Sequence, residues 1–244
     1  MQDYDLTTYG DRIAGEYDDW VADLVETEAT VALLADLARR GPALELGIGT
    51  GRIAIPLARR GIAVHGIDAS AAMVGKLRAK PGGAGIPVTI GNFAEVAVDS
   101  NFALVYVVFN TFFGLLSQDD QVRCFGNVAK HLAQDGVFAL EAFVPDPKLF
   151  NHGQRMGIRH LQTGRVVLDA SQHDPVNQRV TSQHVVIQET GVKLFPVQIR
   201  YAWPSELDLM ARLAGLRLRD RWGGWRREPF TAASATHVSV YARA

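Results

Sequence analysis

Residues 42–61 read PALELGIGTGRIAIPLARRG. An apolar run, Ala43 to Leu46, leads into glycines at alternate positions, Gly47, Gly49 and Gly51, and then into a segment with helical periodicity. The pattern predicts a strand, a tight turn and a helix. Glycine there lets the backbone turn sharply and leaves no Cβ between the chain and a ligand at the helix N-terminus. Such a turn can hold the pyrophosphate of a dinucleotide, a lone phosphate or a nucleoside. Dinucleotide enzymes usually carry G-x-G-x-x-G, whose third glycine makes room between helix and strand. Here Arg52 stands at that third position, and no G-x-x-x-x-G-K phosphate loop occurs.

Outward from the turn, residues 43–143 alternate short apolar runs with helical patterns. ALEL precedes RIAIPLARR, and AVHGID precedes SAAMVGKLRAK. VTIG, FALVYVVF, the helix QDDQVRCFGNVAKHL and GVFALEAF follow. Continuous apolar strands separated by helices predict an α/β, doubly wound, mostly parallel sheet covered on both faces. After Pro145 the texture changes. RVVLDASQHDP, RVTSQHVVIQE and VKLFPVQIRYAW read as three antiparallel strands joined at Asp174–Asn177 and Thr190–Gly191. The helix PSELDLMARLAG and two strands, LRLRDRW and HVSVYARA, then close the main sheet.

Two acidic residues flank the turn. Asp68 ends the second strand, where a carboxylate can accept hydrogen bonds from both hydroxyls of a ribose. Glu45 ends an otherwise apolar strand, a costly place for a charge unless a partner such as a cationic ligand group neutralises it.

Composition narrows the classes. The 244 residues are 48% hydrophobic and 21% charged, with net charge -1, as in an ordinary soluble protein with no bulk attraction to nucleic acid or to an anionic membrane. The polar, acidic N-terminus lacks the apolar core of a secretory signal, and no stretch of about eighteen apolar residues predicts a membrane span. One cysteine, Cys124, excludes an internal disulfide and offers no metal-site spacing, which fits a cytoplasmic protein.

The successive motifs LELGIGTGR, HGIDASAAMV, IGNF, VVFNTF and GVFALEAF resemble those of class I S-adenosylmethionine-dependent methyltransferases, in order over about residues 40–145. AGLRLRDRWGGW and SVYARA resemble the C-terminal strands of that family, and the chain is similar to its small-molecule branch, which includes antibiotic amino-sugar N-methyltransferases. The resemblance implies a Rossmann-like, seven-stranded sheet with S-adenosylmethionine as cofactor. Gly47, Gly49 and Gly51 would pass under the methionine part, Glu45 would lie near its amino or sulfonium end, and Asp68 would hold the ribose. Ala69, Ser70 and Met73 would line the ribose and adenine. Asn92 stands where the family usually has an acid bonding the adenine amino group, and Phe93 would cover the ring. Phe109 and Asn110 would border methionine and substrate. The Pro-Pro-aromatic stretch of nucleic-acid amino methyltransferases is absent there, which argues against nucleobase methylation. YGDRIAGEYDDW resembles a helix that closes over the cofactor, with Tyr9, Trp20 and above all Tyr17 as lid residues.

The expected organisation is thus lid helices over residues 1–40 and a cofactor-binding core over 41–145. An antiparallel extension over 146–202 serves as substrate lid or homodimer surface, and a helix and strand pair over 203–244 complete the sheet. Methyl transfer is an in-line displacement that needs an acceptor lone pair about 3 Å from the methyl carbon. A neutral amine needs no base, whereas a hydroxyl more often does. The candidate catalytic groups are His152 and His160, each a surface residue in the bland reading, and Glu141, otherwise a strand residue paired at the sheet edge. His173 and His184 are expected to face solvent, while His237 can go either way. Trp222, Trp225 and Tyr201 could floor an aromatic pocket but read more simply as packing. Arg217, Arg219, Arg221, Arg226 and Arg227 read as a solvated face rather than an anion site, and Cys124 as a packing residue. The rival functions are a nicotinamide-dependent oxidoreductase on the same fold and a non-catalytic S-adenosylmethionine-binding protein.

Overall fold

The structure, a computed structural model, describes residues 1, 3–21 and 26–244. Helices α1 (Thr8–Ile13), α2 (Tyr17–Val21) and α3 (Thr27–Ala38) precede the main sheet. Strands β1 (Ala43–Leu46), β2 (Val64–Asp68), β3 (Val88–Ile90), β4 (Phe102–Val107) and β5 (Leu132–Phe143) are mutually parallel. Helices α4 (Ala54–Arg59), α5 (Ala71–Ala79) and α6 (Gln118–His131) make the crossovers after β1, β2 and β4. Leu44, Leu46, Val105 and Phe138 bury their side chains in one core layer, and Leu104, Tyr106, Val137 and Ala139 in the other. Both faces are therefore dry, which is why these strands read as unbroken apolar runs.

Caps fix the helix starts. Ser70 Oγ accepts the Met73 N–H at 3.1 Å, and Ser117 Oγ accepts the Asp120 N–H at 3.1 Å. Near the C-terminus α7 (Pro204–Leu213) begins on its proline, and Gly215 follows it at φ +71. The strands β10 (Leu216–Trp222) and β11 (Thr236–Arg243) complete a seven-stranded sheet of order β10-β11-β5-β4-β1-β2-β3, with β11 antiparallel to β5 and β10. The direction of winding changes between β1 and β4, so a crevice opens above their C-terminal ends. Gly51 stands at φ +76, and a Cβ there would lie 2.9 Å from Leu77 Cγ; this glycine packs turn against helix.

The antiparallel extension is a separate sheet of order β6-β7-β8-β9. Its strands are β6 (Gln154–Gln162), β7 (Arg165–Asp174), β8 (Arg179–Gln188) and β9 (Gly191–Arg200). Three of these and their turns match the sequence reading; β6 is a fourth strand that it did not contain. A bulge between Ile158 and His160 shifts the register, so Met156, Ile158 and Leu161 do not keep a two-residue period. The end of the outer face next to the Gln162–Arg165 turn is apolar. Directly paired residues share a face, giving the rungs Leu161–Val166–Ile187–Val192 and Ile158–Leu168–Val185–Leu194. Leu161, Ile158 and Val192 are 71%, 66% and 62% exposed. Among the described residues no helix is long and apolar enough to cross a membrane.

Candidate functional site

A cleft of about 1080 Å³ lies over the C-terminal ends of the parallel strands. Gly47, Gly49, Asp68, Ala69, Ser70 and Met73 form its floor; Phe93, Phe109 and Asn110 form one wall. Helices α1 and α2 contribute Tyr9, Tyr17 and Trp20 to its lining, and the inner face of the second sheet stands opposite.

The glycine turn is held by Asp68. One carboxylate oxygen accepts the Gly49 N–H at 2.7 Å, and the other accepts the Ser70 N–H at 2.8 Å. Burial raises the pKa of Asp68 from the usual carboxylate value, while these N–H bonds favour the ionised form. Gly49, at φ +55, faces open space: the nearest atom to a Cβ there would be the Gly47 carbonyl oxygen at 4.0 Å. A ligand can therefore lie directly on the backbone.

Two predicted cofactor residues work from behind the turn instead of lining the cleft. Gly51 packs on Leu77, as described above. Glu45 is 2% exposed and accepts a hydrogen bond from Tyr106 Oη at 2.9 Å. Burial pushes its pKa up to about 8, against opposing contributions from Tyr106 and the Arg52 charge. Arg52 lies over the Phe109 ring, 5.4 Å from its centroid, and its Nε is buried without a partner among the described residues.

Asn92 is another departure. Its Oδ1 already accepts the Ala94 N–H at 2.9 Å, and only its neighbour Phe93 lines the cleft. The Phe109–Asn110 turn has both residues at positive φ, 55 and 61. It is pinned to β5 twice: Phe109 N–H donates to Glu141 Oε2 at 2.6 Å, and Phe143 N–H donates to Asn110 Oδ1 at 2.6 Å. Glu141 is thus occupied by backbone and does not line the cleft, contrary to its reading as a catalytic group.

The remaining catalytic candidates also fall elsewhere. His152 is exposed, at φ 47, and His160 is half-buried on β6 opposite Val167; neither lines the cleft. The two histidines expected in solvent point inward. His173 Nε2 pairs with Tyr201 Oη at 2.9 Å, and its ring stacks on Phe150 with centroids 4.5 Å apart. His184 Nδ1 bonds the Asp169 carboxylate. All five residues line the cleft, with Arg155 and Arg159. Asp169, Ser171 and His173 alternate along β7 on this inner face; a polar face looks the same from sequence whether it meets solvent or a cleft.

Among the other candidates Tyr201 lines the cleft, whereas Trp222 and Trp225 pack into the core. Arg221 pairs with Asp208 at 2.6 Å, Arg226 with Glu26 at 3.0 Å and Arg227 with Asp36 at 3.3 Å, so these side chains are spoken for. His237 and Cys124 are buried, and burial pushes the His237 imidazole down to about 4.

The lid is tied to the floor. Ser70 Oγ–H donates to Asp11 Oδ1 at 2.5 Å; Thr50 Oγ1–H donates to Asp18 Oδ1 at 2.7 Å; Lys80 pairs with Asp18 at 2.7 Å. Trp20 packs edge-on against Phe195 of the second sheet, centroids 5.9 Å apart. Burial keeps the Tyr9 and Tyr17 hydroxyls protonated by raising both.

Comparison with known proteins places this geometry. A family described as a methyltransferase domain matches residues 43–136. The cypemycin N-terminal methyltransferase of a Streptomyces species is 30% identical over 203 residues, 82% of each chain. The CcbJ methyltransferase from Streptomyces caelestis superposes with a TM-score of 0.93 at 41% identity, over 99% of this chain and 100% of that one. An S-adenosylmethionine-bound amino pentose methyltransferase from Micromonospora echinaspora shares the fold, with a TM-score of 0.70 at 20% identity over 93% of this chain and 96% of that one. With a relative of 30% identity covered over 82% of its length and a superposition spanning the whole chain, the chain belongs to the class I S-adenosylmethionine-dependent methyltransferases.

Proposed function

We propose that this enzyme methylates the nitrogen of a small-molecule amine by in-line displacement. The observation that carries the reading is the turn itself: open backbone at Gly49, locked by the Asp68 carboxylate, on the floor of a cleft whose far wall belongs to a second sheet. The residues fit the cofactor. Gly49 leaves room for it, Gly47 lines the cleft where a Cβ would strike Thr111, Asp68 offers acceptors to a ribose, and Ala69, Ser70, Met73 and Phe93 form a mostly apolar bed for a purine. Phe109, Asn110 and Tyr17 would border its reactive end, with Glu45 and Gly51 supporting the turn from beneath. When bound, S-adenosylmethionine supplies an electrophilic methyl group whose sulfur departs with the C–S electron pair. The side chains orient the acceptor and, through the α1–α2 lid, exclude water.

Nitrogen is favoured because relatives named for an N-terminal amine and for amino sugars share this fold. The test is calorimetric titration with S-adenosylmethionine, S-adenosylhomocysteine and NAD(H), followed by transfer of labelled methyl to amino sugars and to short peptides with free N-termini. Binding of the first two ligands only, with label on nitrogen, is the expected result. Label found on hydroxyl oxygen alone would sink the nitrogen assignment, and binding of NAD(H) alone would sink the whole reading.

The apolar end of the second sheet's outer face supports a homodimer. The two apolar rungs cover about 300 Å², from strand spacing and rise, a patch that can form the apolar centre of an interface whose standard size is roughly 800 Å² per partner, with the Gln154–Gln172–Thr181–Gln198 rung at its polar rim. A flat apolar sheet face is self-complementary about a two-fold axis, and pairing there leaves the cleft on the inner face open. Ile158→Lys with Leu161→Lys is expected to convert a dimer to a monomer in light scattering, without loss of cofactor binding. A monomeric wild type would refute the pairing.

A further inference from the structure

Asp169 on β7 and His184 on β8 are directly paired on the inner face of the second sheet. The Asp169 carboxylate bonds His184 Nδ1 through one oxygen and Arg159 Nε, at 2.5 Å, through the other. The His184 ring lies against Trp20 of the lid, centroids 5.1 Å apart, and all three residues of the cluster line the cleft. A carboxylate at Nδ1 fixes the tautomer that carries its proton there and leaves a lone pair on Nε2. Among the described residues the buried side-chain polar atoms without partners are Arg52 Nε, Gln183 Oε1 and His237 Nε2; His184 Nε2 is not among them, and the His184 side chain, 12% exposed, is part of the cleft lining. Arg159 balances the Asp169 charge at rest, and an imidazolium formed at His184 would sit beside that same carboxylate. Tyr9, a lid hydroxyl lining the same cleft, is kept protonated by burial, so it can donate a hydrogen bond but does not serve as the base.

Resting on the amine reading above, we propose that His184, oriented by Asp169, is the general base that takes the proton of an aliphatic ammonium acceptor. The N–H bond breaks and its proton passes to Nε2. The electron pair stays on nitrogen and forms the new N–C bond as the methyl leaves sulfur. His184 then gives its proton to water when product departs.

The test combines His184→Gln, His184→Ala and Asp169→Asn with single-turnover transfer to amino sugars and with long-range proton–nitrogen spectra of the histidine rings. We expect His184→Gln to slow transfer by about 10²–10⁴-fold, with affinity for S-adenosylmethionine changed less than about twofold. Added imidazole should restore part of the rate to His184→Ala. In the wild type Nε2 of His184 should be the unprotonated nitrogen, and Asp169→Asn should disturb that tautomer with a smaller loss of rate. Transfer by His184→Gln at the wild-type rate, or a wild-type ring protonated at Nε2, would overturn this proposal alone. A wild type that binds S-adenosylmethionine yet methylates no amine would overturn the amine reading, and this proposal with it.

Discussion

Asp68→Ala is expected to weaken S-adenosylmethionine binding by at least about 100-fold, measured by calorimetry. The carboxylate does two things at once. It holds the Gly49 and Ser70 amides at 2.7 and 2.8 Å, and its outer lone pairs face the cleft. Charge-assisted hydrogen bonds contribute about 1.5–3 kcal/mol each, so losing the turn contacts and the ribose acceptors together exceeds two orders of magnitude. The melting temperature should fall by only a few degrees, because the Ser70 cap on α5 remains through its own bond to Met73. Asp68→Asn should lie between, since an amide oxygen accepts one of the two N–H bonds while its NH₂ opposes the other. Asn92→Ala is the instructive contrast. Its Oδ1 serves the Ala94 amide, so the cost should be about 1 kcal/mol of stability and less than about fivefold in affinity. An Asn92→Ala protein as defective as Asp68→Ala would mean that the adenine is held from Asn92 after all.

How far the sequence reached depends on what carried the signal. The parallel strands were legible because burial on both faces demands continuous apolar runs, and Leu104, Val105, Tyr106 and Val107 are all fully buried. The glycine turn was legible because Gly47, Gly49 and Gly51 all take positive φ, a backbone requirement that few other residues meet. The division of labour among them was not, since only the surrounding Leu77 tells Gly51 apart from Gly49. Strand β6 was hidden by its bulge. The inward aim of His173 and His184 depends on which face of the second sheet meets the lid, a tertiary fact set by Val167, Val186 and Phe195 packing on Ile13 and Ala14. Glu141 looked catalytic because a charge near a sheet edge is conspicuous; its partner, the Phe109 amide, lies 32 residues away in sequence.

Glu45→Gln should make the protein more stable above pH 8 and alter the protons exchanged on cofactor binding. Burial raises the Glu45 carboxyl from an ordinary 4.5 to about 8. Between those values the folded chain keeps a proton that the unfolded chain releases. Stability from this group is therefore full below pH 4.5, falls as pH rises, and is lost above about 8. The interval corresponds to at most about 5 kcal/mol, and relaxation around the Tyr106 hydroxyl reduces that to roughly 2–3 kcal/mol. Glutamine has the same shape, accepts the Tyr106 bond and has nothing to ionise, so thermal unfolding should show the two proteins alike at pH 5 and the variant ahead at pH 8.5. Binding probes the same proton from the other side. A cationic ligand above the turn favours the carboxylate, so the wild type should release a proton as S-adenosylmethionine binds at pH 7. Titrations in phosphate and in Tris would then give different apparent enthalpies, and Glu45→Gln should largely remove the difference. If the stability gap between the proteins stayed constant from pH 5 to 9, Glu45 would be ionised in the fold. Arg52 would then already supply the positive charge expected of the ligand, and binding at this turn would be driven by shape and the Asp68 contacts alone.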